Sequence, residues 1–420
     1  MTLSAFLVWT IAAATIAAIV IRPKRWPEAV WACLGAATLL LFRLLSPRLA
    51  FGAVAKGDNV YLFLTGMMLL SEMARREGVF DWLASLAVHA AHASPARLFA
   101  LIYGVGILVT VFLSNDATAV VLTPAVYAAV KKARTEPLPY LFACAFIANA
   151  ASFVLPISNP ANLVVYGRHL PALMPWLRLY ALPSLCSVAA TFFVLRWRFL
   201  RQLSGVLPSG VAASPAVLSD SGRRAAWGLV GTGAILIAAS AFGLDLGPPT
   251  CAAALLAVLI AARAKPAPLL AVVRHVSWNV LPLVAGLFVL VEALDGAGAL
   301  ADIGSFLHRI AALPAWAGSL AASFGVTALS SVMNNLPAGL LTGAAIQAHP
   351  PPASLQRALL IGVDLGPNLS VSGSLATVLW LIALRREGIQ VSAWTFLKMG
   401  ALVMPPALLM ATLALLFPWG

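Results

Sequence analysis

The sequence predicts an all-α polytopic membrane protein built as two inverted repeats, with about ten membrane-spanning helices, two re-entrant hairpins and two broken helices. Three observations lead there. The 420-residue chain is 61% hydrophobic and 10% charged, with a mean hydropathy of +0.95, and apolar runs of about 17–25 residues, the length that crosses a bilayer, recur throughout. The long apolar run from Leu98 to Val130 is interrupted by Ser114-Asn115-Asp116, and a second one by Asn334-Asn335. Finally, M-M-L-L-S-E-M-A-R-R-E-G (67–78) aligns with L-F-V-L-V-E-A-L-D-G-A-G (287–298), so that Glu72 pairs with Glu292 and Asn115 with Asn335, both at an offset of 220.

Residues 1–201 form the first repeat. A helix over 4–21 lacks the basic leader and cleavage site of a signal peptide and stays as a span. It ends at Arg22-Pro23-Lys24-Arg25, placed inside by the positive-inside rule. A helix over 28–45 returns, a loop covers 46–57, and a helix over 59–74 ends inside at Arg75-Arg76. Residues 79–92 are too short and mixed to span and read as interfacial. The first hairpin, 97–131, has its tip at Ser114 to Ala117 and ends on Lys131 and Lys132, so both arms enter from the cytoplasm. The first broken helix, 138–166, is interrupted at Pro156-Ile157-Ser158-Asn159-Pro160-Ala161-Asn162; such a break survives only where protein or a water-filled cavity satisfies the backbone. A helix over 172–198 ends at Arg196 and Arg198, inside.

The Ser-, Gly- and Pro-containing stretch 202–223 reads as a cytoplasmic linker. Residues 224–420 form the second repeat, with helices over 225–243, 248–263 and 279–294 and a basic loop carrying Arg263, Lys265 and Arg274. The second hairpin, 314–347, has no basic flanks and enters from outside. The second broken helix, 354–384, is interrupted at Gly362 to Ser374 and ends at Arg385-Arg386; a helix over 393–418 closes the chain. The N- and C-termini are expected outside.

The net charge of +13 would suggest a nucleic acid partner in a soluble protein. Here the basic residues sit in short loops, so no nucleic acid is expected. Cys33, Cys144, Cys186 and Cys251 have no CxxC spacing, and the histidines fall mostly in loops; no disulfide framework, metal or cofactor is expected. There is no G-x-x-x-x-G-K-[ST] run, so energy must come from an ion gradient or a separate ATPase subunit.

The polar interruptions supply the candidate site. Ser114, Asn115, Asp116 and Thr118 stand at the first tip, Asn334 and Asn335 at the second, Ser158, Asn159 and Asn162 in the first break, and Asp364, Asn368, Ser372, Ser374 and Thr377 in the second. Ser, Asn and Asp are preferred helix caps, but capping alone does not explain two carboxylates in hydrocarbon, each costing at least about 3 kcal/mol on insertion scales. A carboxylate withdrawn from water is more readily protonated, so Asp116 and Asp364 are the candidate proton-coupling groups. Glu72 and Glu292 lie near helix ends and read as interfacial.

F-L-S-N-D-A-T-A-V-V-L-T-P (112–124), S-S-V-M-N-N-L-P-A-G (330–339) and I-G-V-D-L-G-P-N-L-S-V-S-G-S-L-A-T-V-L-W (361–380) resemble the arsenical pump membrane proteins, arsenite and antimonite efflux permeases of the ion transporter superfamily. The resemblance covers nearly the whole chain. It implies an inner-membrane antiporter that exports neutral As(OH)3 or Sb(OH)3 in exchange for protons, with elevator-type scaffold and transport domains, no enzymatic activity of its own, and arsenical resistance as the outcome. Within the superfamily the alternative is a sodium-coupled carboxylate symporter or a sodium/proton antiporter. Superfamily relatives are often homodimers, and a soluble arsenite-stimulated ATPase is the partner the resemblance leaves open. In one departure, Asn149 stands where some family members carry an acid, so Asp116 and Asp364 must suffice.

Overall fold

A computed structural model describes residues 2–207, 216–263 and 266–417. Among these residues the chain is helical with no strand, and seven helices are long and apolar enough to cross a membrane. The protein is a multi-pass integral membrane protein. Large apolar side chains such as Phe6, Phe193 and Trp227 stay exposed on its periphery, while Trp176, Trp380, Tyr140 and Phe396 are fully buried. The helix Leu138–Ala150 is apolar all round and, from Pro139 onward, buried all round, which puts it at the centre of the bundle.

Two sets of helices can be distinguished by their packing. In one, Leu3–Ile21 lies on Glu28–Leu41, Glu28–Leu41 on Val280–Gly296, and Asp58–Arg76 and Asp220–Ala241 on Gly247–Ala261. In the other, Pro95–Phe112 packs on Leu138–Ala150, Ala315–Met333 on Ala353–Leu365, Pro160–Tyr166 on Asn335–Ala348, and Leu173–Arg198 on Ala393–Ala414. Each half thus contributes a hairpin and a broken helix to the second set.

Contacts between distant segments gather the basic helix ends on one face. Arg76 Nη1 lies 3.4 Å from His275 Nδ1, Arg224 Nη2 donates to the Ala261 carbonyl at 3.2 Å, and the Tyr127 hydroxyl donates to the Glu387 carbonyl at 3.3 Å. On the opposite face Lys56 Nζ pairs with Glu292 at 2.7 Å and Asn59 Nδ2 donates to Asp245 at 3.4 Å.

Several boundaries differ from those expected. The loop over 46–57 contains a helix, Pro47–Ala55, because Ser46 caps the Leu49 amide and Pro47 occupies the first turn, where its missing N–H costs nothing. The basic loop after Ala261 contains the helix Pro266–His275; Lys265 lies outside the described residues. Of the linker 202–223, residues 208–215 also lie outside them, and Ser219 already caps the helix Asp220–Ala241. The first break begins earlier, at Ala151, and Pro160 opens the second half-helix rather than lying in the gap. In the second break the helix persists through Leu365, so Asp364 sits in its last turn.

Candidate functional site

Both hairpin tips use the same backbone device. Ser114 has φ of 156° and Asn334 has φ of 78°, values in the positive region that non-glycine residues seldom adopt. The two positions are related by the same offset that pairs Asn115 with Asn335. Strain of this kind persists where surrounding structure holds it, and it clusters at functional sites. Behind the tips the arms resume as helix, with the first passing through a wide π-helical stretch, Ala117–Leu122, a feature that recurs at functional positions.

Four of the sequence-predicted residues prove to be caps of half-helices. Ser114 Oγ accepts from the Ala117 amide at 3.3 Å, Asn334 Oδ1 from Leu336 at 3.2 Å, Asn159 Oδ1 from Ala161 at 3.0 Å, and Ser374 Oγ from Ala376 at 3.0 Å. Four helix N-termini are therefore satisfied inside the protein, as hydrocarbon requires.

The breaks come together across the two halves. Asn159 Nδ2, on the side of its amide not used for capping, donates to Asp364 Oδ1 at 2.7 Å. Asp364 is fully buried, and its Oδ2 has no partner among the described residues. Next to this pair Asn149 Nδ2 donates to Asn368 Oδ1 at 2.9 Å, and Asn368 Nδ2 donates to the Phe146 carbonyl at 3.1 Å. Asn149 Oδ1 is also buried and unpartnered. The spacing from Asn149 to Asp364 equals that from Asn159 to Ser374, so the two breaks correspond position by position and each half carries one polar residue at the end of its first half-helix.

The remaining predicted residues divide into anchors and groups left free. Asn162 Nδ2 donates to the Ser152, Leu155 and Pro156 carbonyls, Ser158 Oγ donates to the Val111 carbonyl, and Thr118 Oγ1 lies 2.8 Å from Thr110 Oγ1; all three are fully buried and fasten backbone. Ser372 donates to the Ser331 carbonyl at 2.9 Å. By contrast, the side chains of Asp116, Asn335 and Thr377 make no hydrogen bond among the described residues, and Asn115 uses only Oδ1, on the Asp116 amide. Asp116 is half-buried and is not bonded to Asp364. These free amides, hydroxyl and carboxylate are what a small hydrogen-bonding solute could meet.

A serine–threonine ladder on the second hairpin was not singled out in the sequence. Thr327, Ser330 and Ser331 donate to the carbonyls of Gly362, Val363 and Gly366 at 3.1, 3.2 and 2.9 Å. Those carbonyls belong to the end of the half-helix that carries Asp364, which is thereby fixed. The i, i+3, i+4 spacing of the three hydroxyls on one helix face was the available signal.

A cavity of about 480 Å³ separates the two sets of helices on the face away from the basic ends. Asp58, Asp245, Glu292 and Lys56 line one wall; Leu163, Arg168, Leu340 and Gln347 line the other. Glu292 and Glu72 lie near helix ends and pair with cations: Lys56, which follows the helix Pro47–Ala55 packed on Val280–Gly296 of the first set, and Arg75, in the last turn of Asp58–Arg76.

Comparison with proteins of known kind places this architecture. The arsenical pump membrane protein of Escherichia coli (strain K12) is 26% identical over 390 residues, covering 87% of this chain and 90% of that protein. That of Yersinia enterocolitica is 28% identical over 375 residues, covering 85% and 86%. Among solved structures the fold is similar to the Alcanivorax borkumensis YdaH transporter (TM-score 0.55, 15% identity, 87% of this chain and 86% of that one) and to Neisseria gonorrhoeae MtrF, of a class of antimetabolite efflux pumps (TM-score 0.54, 12% identity, 99% and 94%). Residues 10–363 match the citrate transporter family, and the chain belongs to that family of membrane transporters.

Proposed function

We propose that the chain is a secondary transporter of the inner membrane that exports arsenite and antimonite as neutral trihydroxides in exchange for protons. The observation that carries this reading is Asp364: a fully buried carboxylate held by one amide, with its second oxygen unpartnered among the described residues. Exchange of a neutral solute for a proton needs a protein group that changes charge during the cycle, and a carboxylate lacking a cation partner is suited to do so. The free groups of Asn115, Asp116, Asn335 and Thr377 offer hydrogen bonds to a solute with three hydroxyls. Relatives that are arsenical pump membrane proteins support the substrate. The two halves are read as inverted repeats, with the hairpins and broken helices moving as an elevator against the first set of helices.

A sodium-coupled carboxylate symporter is the second reading, favoured by the description of the matched family. Against it, neither tip nor break carries a Lys or Arg to receive a carboxylate. Everted membrane vesicles separate the two: radiolabelled arsenite should accumulate when a proton gradient is imposed and stop when it is collapsed. Sodium-dependent citrate uptake with no arsenite uptake would overturn the proposal.

A further inference from the structure

The two hairpins are fastened to their own broken helices very differently. On the second, the Thr327, Ser330 and Ser331 hydroxyls hold the Gly362, Val363 and Gly366 carbonyls, and from the break Ser370 and Ser372 both donate back to the Ser331 carbonyl. On the first, among the described residues, a single side-chain bond joins the tip half of the hairpin to its break: Ser158 Oγ donates to the Val111 carbonyl at 3.2 Å. Val111 and Ser331 correspond at the offset of 220. Each lies in the last turn of its arm, where carbonyls lack a partner within the helix. One such carbonyl is thus held by one hydroxyl in the first half and its counterpart by two in the second. The other side-chain anchors of the first hairpin lie lower. Tyr103 donates to the Val188 carbonyl midway along the first arm, and at the feet Tyr140 donates to the Pro95 carbonyl and Tyr127 to the Glu387 carbonyl.

Thr110, the counterpart of Ser330, shows the difference at one position. Ser330 turns outward to the broken helix, whereas Thr110 turns across its own hairpin to Thr118, 2.8 Å away, and staples the two arms together. The arms also differ in how they can bend. Gly104 and Gly106 stand where the second hairpin has Phe324 and Val326. A Cβ at Gly104 would meet nothing within 4 Å, so close packing does not call for glycine there, and what it brings is backbone freedom. The opposite arm carries Pro124, which lacks an N–H, and ahead of it the π-helical stretch Ala117–Leu122. The matching arm of the second hairpin, Asn335–Ala348, is regular α-helix.

We propose that the upper part of the first hairpin, from Gly104 to Pro124, is the gate through which the solute enters from the cytoplasm, while the second hairpin stays bolted to its broken helix. The gate swings as one stapled piece and releases the Val111 carbonyl from Ser158; Asn115 and Asp116 travel with it. This rests on the export proposed above. Its direction follows from the feet of the hairpin, which stand on the face of the basic helix ends, at Lys131 and Lys132 and at the bond from Tyr127 to Glu387.

Disulfide locks in a background without native cysteines test this. A Cβ at Gly106 would lie 3.8 Å from the Ile147 Cβ, within the span of a disulfide, so Gly106→Cys and Ile147→Cys can join the first hairpin, just past Gly104, to its half-helix. A Cβ at Gly339 would lie 3.5 Å from Val363 Cγ1, so Gly339→Cys and Val363→Cys can join the second hairpin to its own. Neither link crosses to the first set of helices, so neither stops the two sets from sliding. Everted vesicles under a proton gradient are assayed for radiolabelled arsenite uptake before and after oxidation, with thiol titration to count the links. Oxidising the first pair should cut uptake on the order of tenfold or more, reversed by dithiothreitol, and oxidising the second should leave it within about twofold. Uptake that survives the first link, loss with both links, or either pair failing to oxidise overturns the gate. A cysteine-less parent that takes up no arsenite overturns the export reading and the gate with it; a parent that does, with uptake surviving the first link, overturns the gate alone.

Discussion

Asn159 serves two partners at once, and the two can be separated by substitution. Its Oδ1 caps the Ala161 amide and its Nδ2 reaches Asp364. Serine at this position can cap, as Ser374 does for the other broken helix, but is too short to reach the carboxylate. Asn159→Ser should therefore fold, within about 1 kcal/mol of the wild type by the usual worth of a cap, and yet shift the pH dependence of export, because Asp364 loses the one donor to its charged form. A pH profile superimposable on the wild type would contradict the assignment. Asp364→Asn and Asp116→Asn remove titration while keeping shape; each should be inserted and folded but lose proton-driven export by about tenfold or more, a barrier change near 1.4 kcal/mol. Normal export by both across a range of external pH would redirect attention to Glu72 and Glu292. Thiols are not expected to bind the solute: Cys144 is buried, the other three cysteines are at least partly accessible, and none lies at a tip or in a break. A variant with all four changed to Ala or Ser should retain export. At this scale the sequence revealed which residues are polar where polarity is costly, but not their partners. The pairing of Asn149 with Asn368 and of Asn159 with Asp364 joins residues 219 and 205 positions apart, and no local pattern encodes it.

Hairpins and breaks were legible as elements because each needs a short run of caps, prolines or amides inside apolar sequence, and such runs are rare. Their edges were less so. Asp364 looked like part of a gap because Gly362 and Gly366 flank it, yet both glycines serve close packing: a Cβ at Gly362 would press into the Ser323 carbonyl, and one at Gly366 into Ser330. The helix continues past Gly362 to Leu365, and the Thr327, Ser330 and Ser331 hydroxyls hold the carbonyls at its end. The short helices Pro47–Ala55 and Pro266–His275 were missed because the sequence was weighed for membrane length, which neither has. Close approach gives a stability prediction. Gly362→Ala forces apart the second hairpin and the half-helix carrying Asp364, and overpacking of this kind costs typically about 1–3 kcal/mol. Its thermal unfolding temperature in detergent should fall by several degrees, and Ser331→Ala, which removes a buried donor, should fall by less. An unfolding temperature for Gly362→Ala equal to the wild type would mean that the two helices are not so closely packed.

At the scale of the whole molecule, the two sets of helices and the cavity between them give the proposed elevator motion a direct test. If the hairpins and broken helices travel as one unit, groups on opposite walls of the cavity must slide past each other during each cycle, while groups within one wall keep their spacing. Phe288 lies on the wall formed by Val280–Gly296 and Ala344 on the second hairpin's arm; both line the cavity. Lys56 and Glu292 face each other at 2.7 Å within the first set. In a background without native cysteines, a bifunctional thiol reagent joining Phe288→Cys to Ala344→Cys should abolish export, and cleavage of the linker should restore it. The same reagent joining Lys56→Cys to Glu292→Cys should leave export largely intact. Side is tested in the same background: the exposed Ser204 should label from the cytoplasm and the exposed Leu244 from outside, since the basic helix ends lie with the former. Labelling of Ser204 from the outside would invert the molecule and make the cavity an inner vestibule. Export that survives the cross-wall link would leave the walls fixed, require the solute to pass between static hairpins, and overturn the elevator reading.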